Sequence, residues 1–333
     1  MSDDQDKEVL PKEVLPWRIL RCSVQGASHY NSGLPNQDAI HWDQDKYRGL
    51  PLMLAIADGH GGEKYFRSKI GARLAVQAAV EEMKNFEKGL LNQPLSQSLS
   101  VVEDAAKHLP WSIVSRWKEL VEQHRKDNGF TPEETERIKK MENADVWEAI
   151  TANPTLLYGT TLLSVLVTES FILYLQIGDG DILTISTSGK VTRPIPDDER
   201  LLANETTSLC NPTAVGDFRT YFQSLVDLKP ALILLSTDGY SNSFRNPEGF
   251  LKVGTDIWNM IRSDGLQKVE ENLEEWLKLA TERGSGDDIT LGLLCRMSAL
   301  KEEVKLNETF IQPVKAKVLD ESSHIDDGRG NSE

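Results

Sequence analysis

The stretch Pro51-Leu52-Met53-Leu54-Ala55-Ile56-Ala57-Asp58-Gly59 is continuously apolar until an acid and a chain breaker end it. A run of that length and character reads as a buried strand. Two more runs end in the same way: Phe171 to Ile177, closed by Gly178-Asp179, and Ala231 to Thr237, closed by Asp238-Gly239. A fourth is inverted, with Gly286-Asp287 just ahead of the apolar run Ile289 to Leu294. An isolated Asp-Gly is most often a turn, because glycine supplies positive φ and aspartate bonds its own backbone. Four at strand ends are less easily explained as turns alone. Carboxylates that converge at the ends of buried strands repel one another and need either raised pKa values or a cation. All-oxygen ligation suits hard divalent ions such as Mg²⁺ or Mn²⁺.

The 333 residues allow one large domain or two ordinary ones. A hydrophobic fraction of 39% and a charged fraction of 27% fit a soluble globular chain with tails or long surface helices. No stretch approaches the roughly 18 apolar residues of a membrane span, and the polar, acidic Met1 to Lys7 does not read as a signal peptide. The net charge of −15 argues against nonspecific nucleic-acid binding. The three cysteines, Cys22, Cys210 and Cys295, are far apart and have no zinc spacing, so reduced cytoplasmic thiols are expected.

Around the quoted stretch, strands are expected from Trp17 to Val24, from Gln37 onward, over Leu52–Ala57, Gly159–Val167 and Phe171–Ile177, and in a hairpin over Ile182–Thr192. Further strands are expected over Ala231–Thr237 and Asp288–Arg296. Gly26 to Asn36 reads as a loop. Phe66, Ile70, Leu74 and Ala78 mark a helix face running to about Lys88. Residues 89–110 read as irregular, and Ile113, Val114, Trp117, Leu120 and Val121 mark the next helix. Thr131-Pro132-Glu133-Glu134 is a capping-box start for another, to about Ile150. A late helix carries Leu266, Val269, Leu273, Trp276, Leu277 and Ala280, with Gly284 placed to end it. Two strand-rich parts separated by helices favour an α+β fold with an antiparallel two-sheet core over βαβ alternation. Residues 1–16 read as a lead-in, 17–299 as one catalytic domain, and 300–333 as a charged, disordered tail.

In order and rough spacing, Asn36-Gln37-Asp38, Ala57-Asp58-Gly59-His60-Gly61-Gly62, Gly159-Thr160-Thr161, Gly178-Asp179, Ser236-Thr237-Asp238-Gly239 and Gly286-Asp287-Asp288-Ile289-Thr290 resemble the motifs of the metal-dependent Ser/Thr protein phosphatases of type 2C, in a bacterial-type branch. The resemblance covers about residues 20–296. It implies a four-layer αββα sandwich with two mostly antiparallel sheets, outer helices and a two-metal centre at one end. It implies two Mn²⁺ or Mg²⁺ ions, with a third held more weakly. By the same resemblance, Asp58 bridges both metals, Gly59 supplies a backbone carbonyl, Asp238 and Asp287 complete one metal, Asp38 holds metal-bound water and Asp179 serves the third ion. Asp58, His60 and Asp238 are then the catalytic residues, with His60 as a general acid toward the leaving oxygen. Asn242 stands where some relatives carry Asp, and Asp288 is a weaker ligand candidate than Asp287.

Two departures are visible. Gln37 replaces a common Glu, and Gly33 stands where many relatives carry a phosphate-binding Arg, leaving His29, Lys64 and Arg67 as substitutes by sequence proximity. A helical insertion is expected over about 90–152 and a flap that selects substrate over about 194–215. The implied activity is hydrolysis of phosphoserine or phosphothreonine in proteins, with a phosphoprotein substrate, a cognate Ser/Thr kinase as partner, and no nucleic acid or membrane. The alternatives are a pseudophosphatase that binds a phosphorylated partner without turnover, or a phosphatase of a small metabolite.

Overall fold

In the computed structural model, β3 spans Leu52–Ala57 and every one of its residues is buried. The structure describes residues 15–91, 98–140, 144–196, 206–226 and 229–302. The lead-in up to residue 14, the middle of the expected flap at 197–205 and the tail from 303 onward lie outside the described residues. The described residues belong to one unit, Met1–Glu302.

The strands are β1 (Trp17–Val24), β2 (Ala39–Gln44), β3, β4 (Leu162–Val167), β5 (Phe171–Ile177), β6 (Asp181–Ile185), β7 (Val191–Thr192), β8 (Arg219–Ser224), β9 (Leu232–Ser236) and β10 (Ile289–Arg296). The helices are α1 (Ala27–Ser32), α2 (Ser68–Leu91), α3 (Leu99–Ala106), α4 (Leu109–Asp127), α5 (Pro132–Lys140), α6 (Ala144–Ala152), α7 (Ala214–Asp217), α8 (Asp238–Ser241), α9 (Pro247–Asp264) and α10 (Leu266–Arg283). One sheet has the order β1-β10-β9-β6-β7 and the other β2-β3-β4-β5-β8, with antiparallel pairing throughout. The fold is α+β, with two antiparallel five-stranded sheets and outer helices.

Alternation along the strands makes the layers. Leu52, Leu54 and Ile56 of β3 and Leu163, Val165 and Val167 of β4 meet Ile233 and Leu235 of β9 and Leu294 of β10 between the sheets. Met53, Ala55 and Ala57, on the opposite face of β3, pack with Ala72, Ala75, Ala79 and Met83 of α2. On the other side, Leu234, Leu291 and Leu293 pack with Ile257, Trp258 and Ile261 of α9 and Leu273 and Leu277 of α10. Burying each of the Leu, Ile, Val and Met side chains among these contributes about 1.5–3 kcal/mol, so all three apolar layers hold the four-layer order.

The insertion is helical earlier than its composition suggests. The reading of 89–110 as irregular is overturned where the residues are described, by α2 running to Leu91 and by α3, whose Val102 and Ala106 join the α2 core, while 92–97 lie outside the described residues. Leu109, Ile113, Val114, Trp117 and Val121 of α4 pack on the same core. The capping box forms as expected: Glu134 N donates to Thr131 Oγ1 at 3.1 Å and Thr131 N to Glu134 Oε2 at 2.9 Å. The described part of the expected helix is α5 up to Lys140 and α6 from Ala144, with 141–143 outside the described residues. Gly26 to Asn36 contains α1 rather than only a loop. α10 ends before Gly284, which is not left-handed (φ −126°), so the stop is not an αL cap. Among the described residues, no helix is long and apolar enough to cross a membrane.

Candidate active site

Register brings the acids to one end. Ala39 pairs with Ala57, so Asp38 just before β2 and Asp58 just after β3 emerge side by side. Leu291 pairs with Ser236 across β10 and β9, and Thr237 N donates to Thr290 O at 3.0 Å, which brings Asp238 beside Asp287 and Asp288.

Each acid is held by its neighbours. Asn36 Oδ1 accepts from Asp38 N at 2.9 Å, and Thr237 Oγ1 donates to Asp38 Oδ2 at 2.8 Å. The Gly159-Thr160-Thr161 segment, expected as a turn entering a strand, also clamps Asp58: Thr161 N and Thr160 Oγ1 donate to its carbonyl at 2.9 and 2.7 Å, and its own N–H donates to Thr161 Oγ1 at 3.0 Å. Gly59 is buried and bridges to Thr160. Asp238 opens α8, and Asn242 Nδ2 donates to its Oδ2 at 3.0 Å, so Asn242 bonds this carboxylate directly. Gly239 follows where only glycine fits: a Cβ would come within 2.1 Å of the Asp288 carbonyl.

The acids perturb one another strongly. Burial pushes Asp38 well above its ordinary range, and hydroxyl bonds from Thr290 and Thr237 oppose the added charge of Asp288 and Asp287. Burial also lifts Asp58 well above its range, reinforced by Asp38, Asp238 and Asp287. Asp238 is raised to about 6, by burial first and then by exposed Asp179. The Asp58 and Asp238 carboxyls act on one another directly. With both ionised, Asp238 Oδ1 is buried without a hydrogen-bond partner, as is Asp38 Oδ1. Converging, mutually repelling oxygen donors with orphaned lone pairs fit a hard divalent cation.

His60 is seated by the clamp as well. Its N–H donates to Gly159 O at 3.0 Å, and its ring meets Tyr65 edge-on at 5.0 Å. A Cβ on Gly159 would come within 2.7 Å of both rings. Burial, with the Lys64 charge second, lowers the His60 pKa to about 4, so the ring is neutral near pH 7. The expected general acid thus needs a bound anion before it holds a transferable proton.

Of the three substitutes for the missing arginine, Arg67 is removed. It is 4% exposed, pairs with Glu134 through Nε at 2.8 Å and Nη2 at 2.7 Å, and donates to Tyr158 Oη and to the Asn128 and Gly129 carbonyls. It ties the insertion to the start of α2. Lys64 is half-buried, with its Nζ 4.8 Å from the centre of the Tyr65 ring. Part of the expected flap is packing: Leu209 and Cys210 are buried, Leu209 N donates to Thr160 O, and Ser208 Oγ bonds Thr160.

Sequence reasoning missed the weight of Asp288 and Thr237. Asp288 is 3% exposed and receives Gly26 N on Oδ1 and Gln37 N on Oδ2, both at 2.6 Å. It ties the loop of Asp38 to that of Asp287. The signal available was an Asp-Asp pair running straight into an apolar strand, where the second acid must be buried.

An α+β sandwich that gathers carboxylates at one end of two sheets belongs to a class of site suited to phosphate-ester chemistry. The chain belongs to the protein phosphatase 2C family, whose family model matches residues 25–278. No curated protein sequence matches it. Among solved structures it is similar to the S. agalactiae serine/threonine phosphatase (17% identity, TM-score 0.51, covering 84% of this chain and 99% of that one). It is also similar to the Staphylococcus aureus serine/threonine phosphatase Stp1 (14% identity, TM-score 0.50, 85% and 95% covered). The catalytic domain of PstP in complex with two manganese ions aligns at 16% identity and TM-score 0.47, with 84% and 97% covered.

Proposed function

We propose that this chain hydrolyses phosphoserine and phosphothreonine in proteins, with divalent ions held by Asp58, the Gly59 carbonyl, Asp238 and Asp287. The observation that carries the reading is the group of converging carboxylates, two of which have buried, unpartnered oxygens. Mn²⁺ or Mg²⁺ bound there supplies a water of lowered pKa as nucleophile and neutralises charge on the phosphoryl group.

The chain's own residues do the rest. Asp38, fixed by Thr237, accepts hydrogen bonds from ordered water through its free Oδ1. Asp179, exposed beside Asp238, serves a weaker third ion. His60 takes up a proton when substrate phosphate brings negative charge near, and returns it to the leaving oxygen. Lys64, whose charge acts on His60, attracts the phosphate in place of the arginine missing at Gly33.

Family membership supports a phosphatase over a protein that only binds, and the intact Asp38, Asp58, Asp238 and Asp287 support turnover. Comparing phosphothreonine peptides with small phosphorylated metabolites at equal concentration tests the substrate class. The proposal expects kcat/KM at least tenfold higher for the peptides. Equal or better turnover of metabolites would replace it with the metabolite reading, and metal binding without turnover would leave a pseudophosphatase.

A further inference from the structure

We propose a further divalent-cation site formed by His29, Asp287 and Asp288, which differs from the carboxylate group around Asp58 in carrying an imidazole donor. It needs only that the protein bind metal, not that it hydrolyse phosphate.

The site is built by two loops tied together. Ser28 N and Oγ donate to Gly286 O at 2.9 and 2.6 Å, while Gly26 N and Gln37 N hold the two oxygens of Asp288. His29, on α1, is thereby set against both acids. Its Nε2 lies 3.7 Å from Asp287 Oδ1, and its Nδ1 lies 3.0 Å from Asp288 Oδ2. The latter contact is at ion-pair distance but off the hydrogen-bond axis, so Nδ1 is buried with no hydrogen-bond partner.

A buried ring nitrogen and a carboxylate oxygen that lie side by side without a hydrogen bond between them are both placed to take a shared cation. Each Asp288 oxygen has a second lone pair beyond the one its backbone N–H occupies. Bonds of about 2.1 Å in octahedral geometry place neighbouring donor atoms about 3.0 Å apart, which is the Nδ1 to Oδ2 separation. One ligand atom from each of the three residues lies within 4.8 Å of the others. Imidazole with two carboxylates favours a transition-metal ion such as Mn²⁺ or Zn²⁺ over Mg²⁺. Asp287 also raises Asp58 and Asp238, so it stands between this site and the larger group.

Pulsed electron paramagnetic resonance on the Mn²⁺-loaded protein tests the site, because a directly bound imidazole imprints ¹⁴N modulation on the Mn²⁺ signal. The expected result is ¹⁴N coupling in wild type, retained in His60→Gln and lost in His29→Gln together with one bound Mn²⁺ equivalent. Absence of coupling in wild type, or its survival in His29→Gln, would overturn the site and leave His29 as a packing contact beside two aspartates. Absence of coupling in the wild-type spectrum overturns the site even where a variant fails to fold. Phosphopeptide turnover measured on the same samples separates the claims: turnover without coupling overturns this site alone, and coupling without turnover overturns the phosphatase reading alone.

Discussion

Thr237 Oγ1 donates to Asp38 Oδ2 at 2.8 Å and accepts from Thr290 N at 2.9 Å, so one hydroxyl joins an acid on the β2–β3 sheet to the neighbouring strands β9 and β10 of the other sheet. Thr237 itself is 2% exposed. Thr237→Val keeps the shape and removes the hydroxyl. It leaves the buried Thr290 N–H without its acceptor and removes one of the hydroxyl donors to Asp38, a loss of about 1–3 kcal/mol. Urea denaturation of the metal-free protein should show that loss, and Thr237→Ser should recover most of it.

The acids destabilise the metal-free protein at neutral pH. Asp38, Asp58 and Asp238 have folded pKa values above their ordinary 3.8, so between about 4 and 6 the folded state holds more protons than the unfolded one. Stability from these groups is full below pH 4 and is lost as pH rises through their folded values. Asp238, raised to about 6, accounts for about 3 kcal/mol by itself. His60, lowered to about 4, acts in the opposite direction over the same range, as one group against three. Metal-free protein should therefore melt several degrees lower at pH 7 than at pH 5. Saturating Mn²⁺ should remove the difference, and equal melting temperatures without metal would contradict the convergence of these acids.

Gly159 leaves room for two rings. In Gly159→Ala the new methyl meets His60 and Tyr65 at about 2.7 Å, and the backbone that clamps Asp58 must move with them. A displacement of that kind next to reacting groups costs on the order of 10²-fold in rate. Steady-state kinetics should show the loss in kcat more than in KM, because the rings adjoin the leaving group in the proposed function. Unchanged kcat would remove His60 from that role.

Arg67 ties the insertion to the start of α2 through Glu134 and Tyr158. Arg67→Met leaves Glu134 uncompensated and frees the Asn128 and Gly129 carbonyls, costing about 3–5 kcal/mol. Glu134→Gln in the same background should recover part of it. A double-mutant cycle by thermal denaturation measures the coupling, and purely additive effects would show that the ion pair is not what joins the insertion to α2.

Nine of the ten strands among the described residues are legible in the sequence, most of them because buried strands in this fold are continuous apolar runs bounded by breakers, as at Leu52–Ala57 and Phe171–Ile177. β8 was not read, because Arg219-Thr-Tyr-Phe-Gln-Ser224 pairs only with β5 at the sheet edge and keeps a polar composition. β1 and β10 were placed within a residue of their ends. α9 escaped because Gly249 and Gly254 interrupt its apolar face, although Pro247 stands at its first position and Asn246 caps it by accepting from Gly249 N. The convergence of Asp38, Asp58, Asp238 and Asp287 follows from strand register, which periodicity does not reveal. The burial of Arg67 depends on a partner 67 residues away.

The most direct test of the central claim is Mn²⁺ titration of chelator-stripped protein, with hydrolysis of a phosphothreonine peptide as the readout, in wild type and Asp238→Asn. The account predicts turnover that is absent without metal, rises with Mn²⁺, and falls at least a hundredfold in the variant while the fold persists. Turnover that survives both chelation and Asp238→Asn would contradict it.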